Sequence, residues 1–460
     1  MQIDVQEGAG RVNDTRTTRD DDTPRPSAPL PLDWDTAAIT DRRQRFLAPA
    51  LGSFVAYDTP VVWQRGSGQY LWDNQGRRYL DAMAQNVCIS VGHAHPQVLA
   101  AAQAQMRQLP HVTTAYHHPQ PGHFAEELVA RLPQGPDWVV HFVNSGAEAI
   151  DLAVLIARTF THNFEVLALR DAYHGMHFGA MTATGIGQAR QLTPPASGFV
   201  QVMAPHPYTG PLGAAAEPYL DELRRTLQTN TNGAIAGLLV EPIQGYGGIV
   251  EMPAGWLRGA AEQVRAADGL LIVDEVQCGF ARTGSHYWGF EAHDVVPDII
   301  VMSKGIGNGF PIAAVATKRE YAEPMATRMF FNTYGANPTC CAAGRAVLQV
   351  IAEEGLQSNA LEVGTQLRAG LERLKGLHEC IGDVRGRGLL LGVELVRDRD
   401  SQAPAADAAS LIQAALLERG VVVGLCGRAH NVLKINPPLC LTGDDARFLL
   451  AALDEALATA

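Results

Sequence analysis

Short apolar runs recur through the middle of the chain. WVVHFV, EVLALR, IAGLLVE, LLIVDE, DIIVMS and IAAVAT lie between about residues 96 and 345, separated by helical patterns. Apolar runs of this length without polar alternation mark strands that are covered on both faces. Their alternation with helices predicts an α/β domain built on a mainly parallel sheet. Ligands of such sheets bind outside the carboxyl ends of the strands. Two of the runs end there in charge. LLIVD closes on Asp274, and about thirty residues later DIIVMS is followed by Lys304 and the glycine-rich GIGNGFP.

The flanking regions read differently. Residues 60–82 predict short strands (VVWQRGSG, QYLWDNQG, RRYLDAM), with turn signals at Gly66, Gly68 and Asn74–Gly76. From about residue 346, helical stretches over 344–356 and 360–377 flank the strand-like RGLLLGVEL. A hairpin-like unit, VVVGLCGRAHNVLKINPPLCL, then precedes a last helix, DDARFLLAALDEAL. The expected division is a flexible, polar arm over residues 1–36 and an N-terminal segment over 37–95 that joins the small domain. A large domain over 96–345 and a smaller α+β domain over 346–460 complete it.

Composition excludes several classes. A formal net charge of −12 argues against a nucleic-acid-binding surface. No run reaches the roughly 18 apolar residues of a membrane span. The N-terminus lacks the apolar core of a secretory signal, and the seven cysteines are scattered without metal-ligand spacing. These features together predict a cytoplasmic protein with reduced thiols. His93–Ala94–His95, His117–His118 and His174 with His177 have no matching acidic or cysteine cluster, so no metal is expected.

Lysine is scarce, which sharpens the reading of Lys304. The chain has four: Lys304, Lys318, Lys375 and Lys434. Lys318 sits in a polar TKRE stretch and Lys375 in a helical LERLKGL pattern, whereas Lys304 lies between an apolar strand and a glycine turn. A carboxylate and an amine at neighbouring strand ends are the pair that pyridoxal phosphate chemistry requires. The amine forms a Schiff base, and the carboxylate keeps the pyridine nitrogen protonated.

Other strand ends converge on the same edge. WVVHFV runs into NSGAEA, where Ser145, Gly146 and Ala147 open an amphipathic helix. Helix N-termini bind phosphate through unpaired N–H groups; the same stretch also reads as a plain N-cap with Glu148 closing a capping box. EVLALR leads to Tyr173 in DAYHG, an aromatic that can cover a planar cofactor or simply pack. AGLLVE ends at Glu241, a third carboxylate at a strand end or a turn cap.

SGAEA, AYHG, EPIQGYGG, DEVQCGF, SKGIGNGFP and NTYGANP stand in the order and spacing of the class III, subgroup II aminotransferases, which the chain resembles over about residues 41–458. The resemblance implies a fold-type I α/β architecture, with a mainly parallel large domain and a smaller α+β domain, and pyridoxal 5'-phosphate as cofactor. It implies that Lys304 bears the cofactor and that Asp274 pairs with its pyridine nitrogen. Val276 would pack on the ring, Tyr173 would stack on the opposite face and Gln277 would bond the phenolic oxygen. Ser145, Gly146 and Ala147 would bind the phosphate. In such enzymes a threonine of the partner subunit also reaches that phosphate, and Thr333 fits. The implied assembly is a homodimer, with a tetramer as the alternative.

Within the class, the stretch GSHYWGFEAHDVVPDIIVMSKGIGNGFP looks most like the alanine–glyoxylate type 2 branch. The C-terminal NVLKINPPLCLT departs from it. Many class III enzymes carry an arginine there that pairs with a glutamate like Glu241 or binds a carboxylate. Here the residue is Lys434, a point charge without the planar fork. Arg428 is an expected source of the missing fork, and Trp63, with Val87 and Cys88, belongs to the expected specificity loops. The leading expectation is an aminotransferase moving an amino group from an amine or amino acid to pyruvate or glyoxylate. The alternative is a phospho-lyase acting on phosphoethanolamine or a similar amine, which the NVLK…PP stretch resembles.

Overall fold

The computed structural model describes residues 30–135, 137–190 and 195–459. The expected arm over 1–36 therefore falls mostly outside the described residues. Met1–Phe54 and Val55–Ala460 form two separate compact units. The described part of the first contains helix α1 (Thr36–Phe46), capped by Asp35, whose carboxylate accepts from Ala38 N at 2.8 Å. Arg43 fastens the following turn by donating to Leu51 O, Gly52 O and Phe54 O.

The second unit opens with strands β1 (Trp63–Ser67), β2 (Tyr70–Asp73) and β3 (Arg78–Asp81), then helices α2 (Pro96–Gln108) and α3 (Pro119–Val129). Strand β4 (Trp138–Val143), helix α4 (Gly146–Thr161) and strands β5 (Val166–Leu169) and β6 (Phe199–Val202) follow. Helix α5 (Glu217–Asn230), β7 (Gly237–Val240), α6 (Trp256–Ala266), β8 (Leu270–Asp274), β9 (Ile299–Met302) and β10 (Ala313–Lys318) complete the central layer. Helices α7 (Pro338–Glu353) and α8 (Leu356–Leu377) lead to β11 (Ile381–Arg387) and β12 (Leu390–Asp398). The chain ends with α9 (Ala406–Glu418), β13 (Val421–Val422), β14 (Gly424–Cys426), β15 (Val432–Ile435) and α10 (Gly443–Thr459).

The central sheet has seven strands in the order β4-β10-β9-β8-β7-β5-β6. Strands β5 to β9 run parallel, whereas β10 is antiparallel to both β9 and β4. The short connection from Lys304 to Ile312 explains the exception, because a parallel return needs a crossover of about a dozen residues or more. Alternate residues of each strand enter different cores. Leu238, Val240, Leu271, Val273 and Ile300 face one way. Leu239, Leu270, Ile272, Ile299 and Val301 face the other, where Ile150, Ala153 and Ile156 of α4 cover them. Both faces are dry, and this is why the strands read as unbroken apolar runs. Gly237 has a local reason to be glycine: a Cβ there would stand 2.4 Å from Leu270 O on β8.

Beside a short two-stranded pair, Ile243–Gln244 with Val250–Glu251, two larger sheets accompany this layer. One is antiparallel, in the order β11-β12-β15-β14. The other is β1-β2-β3-β13, in which Val421 pairs with Leu80 and Val422 with Asp81 in parallel. The N-terminal strands thus share a sheet with a segment more than three hundred residues later. Three local expectations change. Gly66 is no turn residue but part of β1, where the His93 ring lies over it and a Cβ would stand 2.7 Å from that ring. Strand β6 was not expected; it is a half-buried edge strand and lacks the dense apolar run. Strand β11 was also missed, because IGDVRGR carries charge at alternate positions, Asp383, Arg385 and Arg387.

Candidate active site

The parallel register brings the carboxyl ends of β8 and β9 side by side. Asp274 is the last residue of β8 and pairs with Val301 of β9, two residues before Ser303 and three before Lys304. Because β4 pairs with β10 up to Val143–Ala313, the first turn of α4 comes to the same edge. A Cβ on Gly146 would stand 3.5 Å from Ser303 Cβ and 3.6 Å from Val276 Cγ2. The loop after β5 closes the other side. Gly175 there has φ +129° and approaches the helix so closely that a Cβ would meet Ala147 Cβ at 2.6 Å. These elements enclose a cavity of about 220 Å³, onto which Lys304, Asp274, Val276, Gln277, Tyr173 and Glu241 open.

Asp274 is buried, and both oxygens are held. Oδ1 accepts from Val276 N at 3.0 Å, and Oδ2 lies 2.8 Å from His174 Nδ1. His174 is itself buried and its Nε2 has no hydrogen-bond partner among the described residues. In the sequence His174 stands out only as one of the histidines without a metal-binding cluster, yet the AYHG motif held the signal. Lys304 follows β9 with φ +48°, a left-handed conformation that aims its side chain into the cavity. Burial pulls its pKa below the usual lysine value, while the nearby carboxylates Asp274 and Glu241 oppose the shift. Burial also raises the Tyr173 phenol.

Several expected site residues have other partners. Ser145 does not line the cavity. Its hydroxyl accepts from Glu148 N at 3.2 Å, and Glu148 Oε2 accepts from Asn144 N and Ser145 N, which completes the capping box. The hydroxyl proton stays free to donate, while Gly146 and Ala147 form the wall itself. Glu241 is not paired with Lys434. Its two oxygens accept from Tyr173 N at 3.1 Å and Gly245 N at 2.9 Å, so it braces the loops above the cavity, and burial raises its pKa. Lys434, 1% exposed, donates instead to Gln277 Oε1 and Asn86 Oδ1. Trp63 packs its ring edge-on against Tyr79 at 5.0 Å, and Arg428 is exposed with its charge near Asp171 and His206; neither lines the cavity. Thr333 is exposed and away from the cavity of its own chain. Ser303 and Met176 line the wall and were missed.

The arrangement fits the pyridoxal phosphate that the motifs imply. It offers a half-buried amine without a hydrogen-bond partner among the described residues and a carboxylate oriented by a histidine. It also offers a helix N-terminus whose first residue has no side chain to block an anion. Comparison with known proteins agrees. The model of the class-III aminotransferases matches residues 54–457. The chain is 45% identical over 419 residues to alanine–glyoxylate aminotransferase 2 homolog 2, mitochondrial, of Arabidopsis thaliana, covering 91% of this chain and 87% of that protein. It is 39% identical over 443 residues to human alanine–glyoxylate aminotransferase 2, mitochondrial, covering 91% and 86%.

Two solved structures match with similar completeness. An (S)-enantioselective omega-transaminase from Thermomicrobium roseum superposes with a TM-score of 0.86 at 31% identity, covering 93% of this chain and 99% of that one. A phospholyase from Arthrobacter in complex with phosphoethanolamine superposes with a TM-score of 0.84 at 34% identity, covering 92% and 100%. The cytoplasmic expectation is corrected by these findings, since the Arabidopsis and human relatives are named mitochondrial. An apolar core marks only secretory leaders, whereas mitochondrial transit segments are amphipathic and arginine-rich. Its lack therefore never bore on that compartment.

Proposed function

The chain belongs to the class-III aminotransferases, and from that premise we propose which residues carry out the transfer and on which substrates. It is a pyridoxal-phosphate-dependent aminotransferase of fold type I. The observation that carries the assignment of roles is the convergence of Lys304, Asp274 with His174, Gln277 and the α4 N-terminus on one cavity.

When bound, pyridoxal phosphate supplies an electron sink for the bond broken at the amine's α-carbon. Lys304 Nζ would hold it covalently and, once displaced, take and return the α-proton; its lowered pKa favours the neutral amine that this needs. Asp274 would face the ring nitrogen and favour its protonated form, with His174 fixing the carboxylate. Val276 and Tyr173 would bracket the ring, and Gln277 would donate to its phenolic oxygen. Gly146 N and Ala147 N, with the Ser145 hydroxyl, would receive the phosphate at the positive end of α4.

The substrates we propose are an amino acid donor such as alanine and a small 2-oxo acid acceptor, glyoxylate or pyruvate. The names of the Arabidopsis and human relatives support this pair. Those relatives do not favour the phospho-lyase alternative. A dicarboxylate acceptor is disfavoured on geometry, because Lys434 lacks a planar fork and its ammonium is engaged with Gln277 and Asn86. The test is to incubate the holoenzyme with alanine and with phosphoethanolamine, each with and without glyoxylate. Pyruvate formed only with acceptor is the expected result. Phosphate released from phosphoethanolamine without acceptor overturns the reading.

We further propose a homodimer with Thr333 reaching the partner's phosphate. Exposed Met329, Phe330, Phe331 and Tyr334 surround it, an apolar patch of the kind that covers an interface. The division into an arm, a segment over 37–95, a large domain over 96–345 and a small domain over 346–460 belongs to the same proposal.

A further inference from the structure

Lys434 is a second amine near the cavity, this one buried, and its partners define its task. It lies on β15, and its Nζ donates to Gln277 Oε1 at 2.7 Å and to Asn86 Oδ1 at 3.0 Å. Asn86 belongs to a turn that L-residues rarely form. Ala84, Gln85, Asn86 and Val87 all have positive φ, between 47° and 71°, and none is glycine. A left-handed run of this kind persists only where its surroundings hold it. Ala84 and Val87 are buried, Asn436 Nδ2 donates to Met83 O just before the turn, and Lys434 grips its exposed Asn86.

The other bond acts on Gln277. In its ammonium form Lys434 has donors only, and in that form it selects the amide orientation that the structure holds, with Oε1 toward Nζ and Nε2 turned away. The amide lies flat against Gly245, where a Cβ would stand 2.3 Å from Nε2. Glycine at 245 makes room for the amide, and Lys434 decides which way round it sits.

We propose that Lys434 is a positioning residue, tying the left-handed turn Ala84–Val87 to the Gln277 amide and presenting Nε2 of Gln277 as a donor to the bound cofactor. The inference rests on the reading of Gln277 as a cofactor contact. It replaces the substrate-carboxylate anchor expected at this strand position, because two of the three ammonium donors are already engaged within the protein.

The test measures pyridoxal phosphate binding to the apoprotein and the absorbance of the holoenzyme without substrate. Gln277→Ala and Lys434→Met should each weaken binding by about tenfold, the scale of one charge-assisted hydrogen bond. In the double variant, Lys434→Met should add little to Gln277→Ala, since the two act as one unit. Asn86→Gly keeps the positive φ while removing the amide, so it should weaken binding in the same direction by a smaller factor. That variant decides the matter should Lys434→Met fail to fold. If Gln277→Ala leaves binding and spectrum unchanged, the reading of Gln277 fails and the proposal with it. If Gln277→Ala weakens binding while Lys434→Met or Asn86→Gly binds as the parent does, the proposal alone is overturned. An effect of Lys434→Met confined to KM for carboxylate-bearing amines also overturns it, in favour of an anchor.

Discussion

His174 and Lys434 are single residues whose effects reach the chemistry through a neighbour. His174 holds Asp274 at 2.8 Å in a buried site. Losing a hydrogen bond to a charged group there is worth about 1.5–3 kcal/mol. His174→Ala should therefore lower kcat/KM by roughly ten- to a hundredfold with both substrates, and steady-state kinetics would show otherwise if Asp274 were held by another group. Asp274→Asn should cripple turnover while leaving the melting temperature of the apoprotein close to that of the parent. Lys434 also carries a pH signature. Burial, and then the nearby Lys304 ammonium, hold its pKa down to about 7 against 10.5 for a free lysine; Cys426 and Glu241 oppose the shift, and Arg282 adds slightly to it. Between those values the unfolded chain binds one proton more than the folded one. Apoprotein stability should then rise with pH across that window. The rise should be smaller in Lys434→Met, and equal slopes in the two melting series would contradict this.

At the scale of elements, the α4 N-terminus serves two purposes with one set of groups. Its capping box fixes Ser145 and Glu148, and the same turn offers Gly146 N and Ala147 N to the cavity. Ser145→Ala should cost about 1 kcal/mol of stability and also weaken cofactor binding, whereas a cap with no role at the cavity would alter only the melting temperature. The central strands behave differently. Their apolar runs were legible because both faces of the sheet are buried, and the strands ending at Asp274 and before Lys304 lie within a residue or two of the expected limits. Strands β6 and β11 were not legible, because an edge position and an alternating charged face leave no dense run to read.

For the whole molecule, half-buried His206 and buried His293 predict the response to acid. Burial, with Arg385 nearby, lowers His206 to about 3, and burial, with Arg387 nearby, lowers His293 to about 4, both from 6.5. The unfolded chain takes up these protons first, so stability should fall as pH drops from about 6.5 toward 4. A melting temperature that stays flat across that range would be inconsistent with these two histidines being held neutral. Assembly has its own test. If Thr333 serves the partner's site, mixing Lys304→Ala with Thr333→Ala subunits creates one site with both residues intact. Activity should appear on subunit exchange, and no gain over either parent variant would count against a shared site.

The sequence by itself determined the strand runs and the order of the motifs, and singled out Lys304 and Asp274 as the proposed reacting pair, because each depends on neighbours within a few residues. Only the tertiary structure decided what those residues touch. His174 meets Asp274 across 100 positions, Lys434 meets Asn86 across 348, and Glu241 is occupied by two loop N–H groups rather than by Lys434. Trp63 and Arg428 carried suitable chemistry but do not line the cavity of their own chain. A hydrogen bond is set by direction and distance within about 3 Å, and a local pattern fixes neither until the sheets have brought distant strand ends together.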